Sequence, residues 1–509
     1  MQRQSYVRNA AILTATGLLL RAIGMFFRVY IAARIGAEGM GVYQLIYTVY
    51  TLAVTLATAG LSVAATRICA QLFAGDRPGA ARRAMQTMLG LGCGLGVLAG
   101  VMLYGGAPLA ARLWLNDDRA LLPLRILAPS LPFMAMSAVW RGYFMAVREV
   151  RPNSIAQLFE QVVRIAVVAI SLHAVDPQNI TASCGAVVLG NTISEASSWA
   201  LMGMFYRVSC RELPREKKAV EGLWRQLWQM LAPICANQYL TSALRSVENV
   251  MVPACLAAFT LSRETALSQY GALKGMAMPV LFFPFSFLGT LSTLLMPEIT
   301  EAYVQGRRQA LRYLVNRVLL LTLSLSILAG GLYTVFAYDI AQVLYQSSKI
   351  GFYIAVLGPL TPFMYLESMV DGILKGLNEQ LATFRYSVAD SVIRIVLIAV
   401  LLPRFGMKGF LFVMLVSNLL TSLLNWIRLL RVTGLKIQWV RWILKPVAAF
   451  VFAAWLWHFL MPLVPLGILW RAVCGGTLIS VVYAAALWAI GGIRNEDIWP
   501  AGRQKRKNS

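Results

Sequence analysis

The chain has 509 residues, 58% of them hydrophobic and 13% charged, with a mean hydropathy of +0.65 and a formal charge of +24. Soluble globular chains average about 45–50% apolar and ~25% charged residues, so this balance excludes a water-soluble fold and selects an integral membrane protein. The basic excess, which in a soluble chain would point to nucleic acid, is accounted for here by membrane topology.

A bilayer core of ~30 Å takes about 20 apolar helical residues to cross. Stretches meeting or approaching that length fall near 10–33, 41–66, 84–110, 124–147, 155–173, 182–206 and 227–258. Seven more follow near 269–297, 313–338, 351–374, 384–402, 409–430, 443–461 and 468–491. The chain therefore reads as an all-α integral membrane protein with about fourteen transmembrane helices. The first stretch is broken by Arg21 and Arg28 and has no small-residue cleavage pattern after it, so it is expected to remain as helix 1.

Basic residues sort by loop. With the N-terminus in the cytoplasm, 30 of the 46 Lys and Arg residues fall at the N-terminus, after even-numbered helices or in the tail; 9 follow odd-numbered helices and 7 lie inside membrane stretches. This asymmetry obeys the positive-inside rule and predicts a multi-pass membrane protein with both termini cytoplasmic. The basic tail Arg503–Lys507 reads as a lipid-surface feature and not as a nucleic-acid patch.

An internal repeat organises the chain. At a displacement of 230, Arg141-Gly142 falls on Asp371-Gly372, Glu149 on Glu379, Glu160 on Asp390 and Arg164-Ile165 on Arg394-Ile395. At 227, Asn191 falls on Asn418 and Trp199 on Trp426. Two parallel six-helix pseudo-repeats plus two C-terminal helices follow, an arrangement found among secondary transporters. The expected segments are an N-terminal half at 1–210, a basic cytoplasmic linker at 211–226, a C-terminal half at 227–435, helices 13 and 14 within 436–492, and a basic tail at 493–509.

Ionisable residues inside apolar stretches carry the functional information. The cations are Arg21, Arg28, Arg141, Arg164, Arg245, Lys274 and Arg394, and the acids include Glu160, Glu195, Glu248, Glu367, Asp371 and Asp390. Each Arg or Lys facing lipid at a helix centre costs about 2.5–3.5 kcal/mol on insertion scales, so most must face protein or water. Arg21 and Arg28 are seven apart and share one face of helix 1 with Gly17 and Gly24. Glu160 with Arg164, and Asp390 with Arg394, are i, i+4 pairs; Arg245 with Glu248 is an i, i+3 pair.

Two readings stand for these charges. In one, the pairs Glu160–Arg164, Asp390–Arg394 and Arg245–Glu248 are ion pairs that lock or gate the bundle, and a cross-helix acid such as Glu195 neutralises the helix-1 arginines. In the other, Arg21, Arg28, Arg141, Arg245 and Lys274 line a cationic, water-filled cavity between the halves that takes a phosphate or pyrophosphate head group, a ligand that Arg recognises well. Proline pairs at Pro129 and Pro132, Pro279 and Pro284, and Pro359 and Pro362 punctuate helices 4, 8 and 10, as in the mobile helices of transporters.

Nothing indicates an enzyme or a metal protein. The sequence lacks a Walker A loop, an H-E-x-x-H pair, a G-x-S-x-G elbow and a dinucleotide fingerprint. None of the seven cysteines forms a C-x-x-C pair, and His173 and His458 have no neighbouring ligand set. No catalytic residue, metal site or cofactor is expected, and any coupling ion is unassigned. An intramembrane glycosyltransferase is the enzymatic alternative.

The run Arg21-Ala-Ile-Gly-Met-Phe-Phe-Arg28, with Ile35-Gly36 and Gly39-Met40-Gly41-Val42-Tyr43, resembles the stage V sporulation protein B type of polysaccharide biosynthesis proteins. So does Trp140-Arg141-Gly142-Tyr143-Phe144 with Pro152, Gln157, Glu160-Gln161 and Arg164, whereas Met145-Ala146 stands where relatives often have Gln-Gly. These belong to the multidrug/oligosaccharidyl-lipid/polysaccharide (MOP) exporter superfamily, with the MurJ-type lipid II flippases and the MATE-like fold. The resemblance implies a flippase that moves an undecaprenyl-pyrophosphate-linked glycan across the membrane by alternating access, in spore cortex synthesis if the subfamily holds. It implies a cavity role for Arg21 and Arg28. Its partners would be the lipid-linked glycan, membrane lipids and cell-wall synthesis enzymes, with no nucleic acid. The competing functions are a MATE-like multidrug antiporter and a non-transporting membrane scaffold for cell-wall enzymes.

Overall fold

A computed structural model describes residues 2–176, 178–211, 214, 222–461 and 467–493, with side chains described from Ala15 onward except at 290–294. The Arg215, Lys217 and Lys218 part of the expected linker and the basic tail Arg503–Lys507 lie outside the described residues. Described residues in regular structure are helical, and the chain divides into two compact units, Met1–Met276 with Arg394–Phe410 and Ala277–Ile393 with Leu411–Ser509.

The first unit is built from α1 (Gln2–Thr58), α2 (Leu61–Ala74), α3 (Pro78–Leu109), α4 (Leu121–Leu127), α5 (Ser130–Ala146), α6 (Arg151–His173), α7 (Ile180–Ser209), α8 (Leu223–Thr260) and α9 (Arg263–Tyr270). A π-helical segment, Gly271–Ala277, follows α9. The second unit holds α10 (Met278–Phe282), α11 (Phe285–Val304), α12 (Arg308–Val335), α13 (Ala337–Tyr345), α14 (Ser348–Leu357) and α15 (Thr361–Gly376). Next come α16 (Gln380–Thr433), part of which belongs to each unit, and then α17 (Lys445–Leu460) and α18 (Ile468–Ala489) in the second.

Among the described residues, eight helices are long and apolar enough to cross a membrane, or nine if the bent pair Asp118–Leu127 and Ser130–Ala146 is one span. Two of these long helices cover two expected stretches each. α1 is broken at Gly36, where φ is 70° and ψ 179°, and α16 at Gly406, where φ is 56° and ψ −137°. Only glycine takes such backbone angles without a side-chain penalty, so these two residues mark where helix 1 gives way to helix 2 and helix 11 to helix 12. The outward faces carry large apolar side chains, including Val101, Leu113, Ile170, Phe459 and Trp488, all more than 60% exposed. Water would not tolerate so much exposed apolar surface, whereas lipid requires it. The chain is a multi-pass membrane protein.

Small residues let the helices approach. A Cβ built on Gly41 would lie 2.2 Å from the Leu267 carbonyl oxygen, and one on Gly271 would lie 2.0 Å from that of Ala37, so α1 and the α9 region meet backbone to backbone. Gly142 of α5 meets the Ser62 carbonyl of α2 in the same way, at 2.4 Å. In the second unit, Phe336, Ala449, Ala453, Trp457, Ile479, Tyr483 and Leu487 form a core that docks α17 and α18, and Tyr483 Oη donates to the Ser324 carbonyl at 2.8 Å.

The repeat reaches further than the matched charges. α3 starts at 78 and α12 at 308; α5 ends at 146 and α15 at 376, each at the 230-residue displacement. Packing repeats with it. A Cβ on Gly100 would face the Ala128 carbonyl oxygen at 3.0 Å and Pro132 Cδ at 3.8 Å; one on Gly330 would face the Gly358 oxygen at 2.6 Å and Pro362 Cδ at 3.2 Å. Arg82 donates to the Cys210 carbonyl just past the end of α7 at 3.0 Å, and Arg312, its counterpart, donates to the Thr433 carbonyl at the end of α16 at 3.1 Å. Each arginine satisfies an orphan carbonyl at a helix C-terminus, where a cation is favoured. The compact units follow packing and the repeat follows sequence displacement, so the two partitions differ.

Candidate functional site

Ionisable residues of the expected membrane stretches form two networks in the first unit. The first joins α5, α6 and α7. Glu160 accepts from Arg164 Nη2 at 2.6 Å and from Arg141 Nη2 at 3.2 Å. Arg164 also donates from Nε to Ser194 Oγ at 3.3 Å and lies 3.6 Å from Glu195. The i, i+4 spacing of Glu160 and Arg164 is thus realised as contact, and each residue also has a cross-helix partner. Glu195 is 4% exposed, and its ion-pair partner is Arg164 and not Arg21 or Arg28. Asn153, in the first turn of α6, donates to the Arg141 carbonyl at 3.3 Å and extends the polar contacts toward the end of the helix.

The second network centres on Glu248 of α8, also 4% exposed. Arg394 donates to both its oxygens, at 3.1 and 3.3 Å, and Lys274 Nζ stands 3.9 Å away. Lys274 also lies over the Phe410 ring, 5.8 Å from its centroid, a cation–π contact. Arg245 does not meet Glu248 as its spacing suggested. Glu248 is buried and taken by Arg394, while Arg245 is exposed. Asp390, in the second unit, accepts from Ser417 Oγ at 2.6 Å.

Arg21 and Arg28 sit on α1, the first exposed and the second partly so, and neither shows an ion pair among the described residues. Nothing lies within 4 Å of a Cβ built on Gly17 or Gly24, so their shared face is open. Lys274 lies within a π-helical turn, a distortion frequent at functional sites.

One cluster had no precedent in the sequence reading. Arg119 bridges Asp117, at 3.0 Å, and Glu38, at 2.6 Å, while Arg263 donates to the Leu115 carbonyl and approaches Asp117 at 3.9 Å. Asp117 and Arg119 are neighbours on one segment, but Glu38 and Arg263 come from distant parts of the chain, so no local spacing could have joined all four.

A helical membrane bundle with an internal repeat and charges held inside it is an arrangement that secondary transporters use, and solved structures match the fold. The fold matches lipid II flippase MurJ in its inward closed conformation with a TM-score of 0.70 at 14% identity, covering 94% of this chain and 99% of that one. It also matches an inward-facing MATE family multidrug resistance transporter with a TM-score of 0.65 at 12% identity, covering 84% of this chain and 98% of that one. At such identities the likeness concerns the fold. The family model for polysaccharide biosynthesis proteins matches residues 6–302 and that for MatE residues 264–400; the chain belongs to the polysaccharide biosynthesis protein family. It is similar to stage V sporulation protein B of Bacillus subtilis, 28% identical over 437 residues that cover 84% of this chain and 83% of the relative. Lipid II flippase MurJ of the same organism is 21% identical over 428 residues, covering 78% of this chain and 76% of the relative.

Proposed function

We propose that this protein flips an undecaprenyl-pyrophosphate-linked glycan from the cytoplasmic to the outer leaflet of the bacterial cytoplasmic membrane, and that it serves spore cortex synthesis. The observation that carries the reading is the state of the cations in the first unit. Arg21 and Arg28 have no acid paired with them among the described residues, on a helix face that two glycines leave open. Lys274 shares Glu248 with Arg394. A pyrophosphate would offset this positive charge and accept the paired N–H donors of Arg. A cationic drug would add to the repulsion, which disfavours the multidrug reading of the same fold. A scaffold would gain nothing from cations that are costly to hold in a membrane.

Within this reading, Arg21, Arg28, Arg245 and Lys274 receive the head group, and Arg141 joins them through its exposed edge while Glu160 holds its other side. The lipid tail stays in the bilayer, and the two repeats rock to give alternating access. Both termini are cytoplasmic, as the distribution of basic residues supports. Cell-wall synthesis enzymes are the expected consumers of the flipped product.

The test is complementation of a flippase-deficient cell, with immunoblots for abundance. Arg21→Ala and Arg28→Ala are expected to abolish flipping at normal abundance. Lys at either position should restore it in part, because charge returns without the planar fork of donors. Growth supported by both alanine variants at wild-type abundance would reject the cationic site.

A further inference from the structure

The charge network of α5–α7 contains a feature that substrate binding leaves unused. Glu195 is buried, 4% exposed, and its Oε2 has no hydrogen-bond donor among the described residues. Its Oε1 is 3.6 Å from Arg164, beyond a normal hydrogen bond. The same Arg164 Nη2 meets a second carboxyl, that of Glu160, at 2.6 Å, so two carboxyls face one guanidinium nitrogen. Two ionised carboxylates that share one guanidinium nitrogen repel, and Glu195 Oε2 is left without a donor. One proton held by the pair removes both difficulties.

We propose that Glu195 and Glu160 form a proton-binding site, with Glu195 as the residue that loads and releases the proton. The surroundings select a proton over a metal cation. Arg141 and Arg164 both contact Glu160, and their charges oppose the entry of a third cation, while the carboxyl pair offers too few oxygens for sodium coordination. The other groups facing Glu195 are neutral. Tyr50 of α1 lies in its electrostatic range and accepts from Asn191 Nδ2 at 3.2 Å, and Ser194 and Ser198 flank it on α7. Tyr43 and Tyr47 of α1 lie in the range of Arg164.

The two states differ in what they ask of Arg164. With the proton bound, neutral Glu195 no longer competes for Arg164, which stays on Glu160 at 2.6 Å. When the proton leaves to water, the new carboxylate draws Arg164 from 3.6 Å toward contact and competes with Glu160 for it. Arg164 also holds Ser194 of α7, so the exchange acts directly on the α6–α7 packing. No electron changes place; one proton is bound at a Glu195 oxygen and one is released. The polar contacts from Asn153 through Arg141 and Glu160 lead from the first turn of α6 to this site. The second repeat has Ser422 at the position of Glu195 in the 227-residue register, so the device belongs to the first repeat alone.

This goes beyond the flippase reading, and the decisive measurement needs no glycan. Full-length protein in liposomes is treated with a hydrophobic carbodiimide, which modifies protonated carboxyls in apolar surroundings, over a range of pH, and the modified peptides are mapped by mass spectrometry. Labelling is expected at Glu195, falling roughly tenfold per pH unit above its titration point. Glu160→Gln is expected to displace that point. A Glu195 that stays unlabelled at every pH, or is labelled independently of pH, overturns the proposal. Protection by sodium without pH dependence also overturns it. In a second arm, transport of a lipid-linked pyrophosphate glycan is driven by an imposed pH gradient. Loss of the gradient response in Glu195→Gln, with its retention in Glu195→Asp, supports the site, and an undiminished response in Glu195→Gln overturns its coupling role. Failure of the flippase reading would remove only this second arm.

Discussion

Glu248 and Glu160 each hold two cations, and each shows what one buried carboxylate does in this fold. Breaking a buried ion pair by removing one partner costs about 3–5 kcal/mol, because the other charge stays behind without compensation. Glu248→Gln should therefore lower the thermal stability of the detergent-solubilised protein and its abundance in the membrane, as Arg394 and Lys274 lose their shared acid. Arg164→Ala should do the same through Glu160 and Glu195. Normal abundance of Arg164→Ala with lost transport would place that arginine in the substrate path instead. Arg245→Ala should leave stability unchanged, since its side chain is exposed and Glu248 is held from elsewhere. The contrast between Glu248→Gln and Arg245→Ala, read by thermal denaturation, separates charges that hold the bundle from charges that face a ligand.

At the scale of elements, the repeat is a packing device as well as a sequence pattern. The contact of α12 with the α14–α15 junction copies that of α3 with the α4–α5 junction through Gly330, Gly358 and Pro362 in place of Gly100, Ala128 and Pro132. The copies are not equally tight, so a graded outcome is expected. A methyl at Gly330 would press on the Gly358 carbonyl at 2.6 Å, whereas one at Gly100 would meet the Ala128 carbonyl at 3.0 Å. Overpacking of this kind costs about 1–3 kcal/mol. Gly330→Ala should lower the midpoint of thermal unfolding more than Gly100→Ala, and an equal or reversed order would show that α12 can shift to absorb the methyl. Pro362 was legible as helix punctuation, but its role as the surface against which a glycine packs needed the neighbouring helix.

In the molecule as a whole, among the described residues, large apolar side chains face outward and the carboxylates Glu160, Glu195 and Glu248 are held in ion networks inside, an inversion of the soluble pattern that lipid as solvent imposes. Its orientation is open to direct test. A single cysteine at Arg308, at the start of α12, should react with a membrane-impermeant thiol reagent only from the cytoplasmic side, and one at Asp176, between α6 and α7, only from outside. Labelling of the Arg308 position from outside would overturn the helix count on which the orientation rests.

Much of this architecture was determined by the sequence alone, because its causes are local or periodic. Apolar run length marked the membrane helices, and a fixed displacement marked the repeat. The Glu160–Arg164 contact was also legible, since four residues bring two side chains onto one helix face. Tertiary structure decided the rest. It gave Glu248 to Arg394, 146 residues away, in place of its neighbour Arg245, and it gave Glu195 to Arg164 in place of the helix-1 arginines. It also drew Glu38, Asp117, Arg119 and Arg263 together from distant parts of the chain. Helical periodicity tells which residues share a face, but the partner of a buried charge is fixed by which helices pack together and at what rotation. Those depend on backbone approaches such as Gly41 to Leu267, which no single segment of sequence contains.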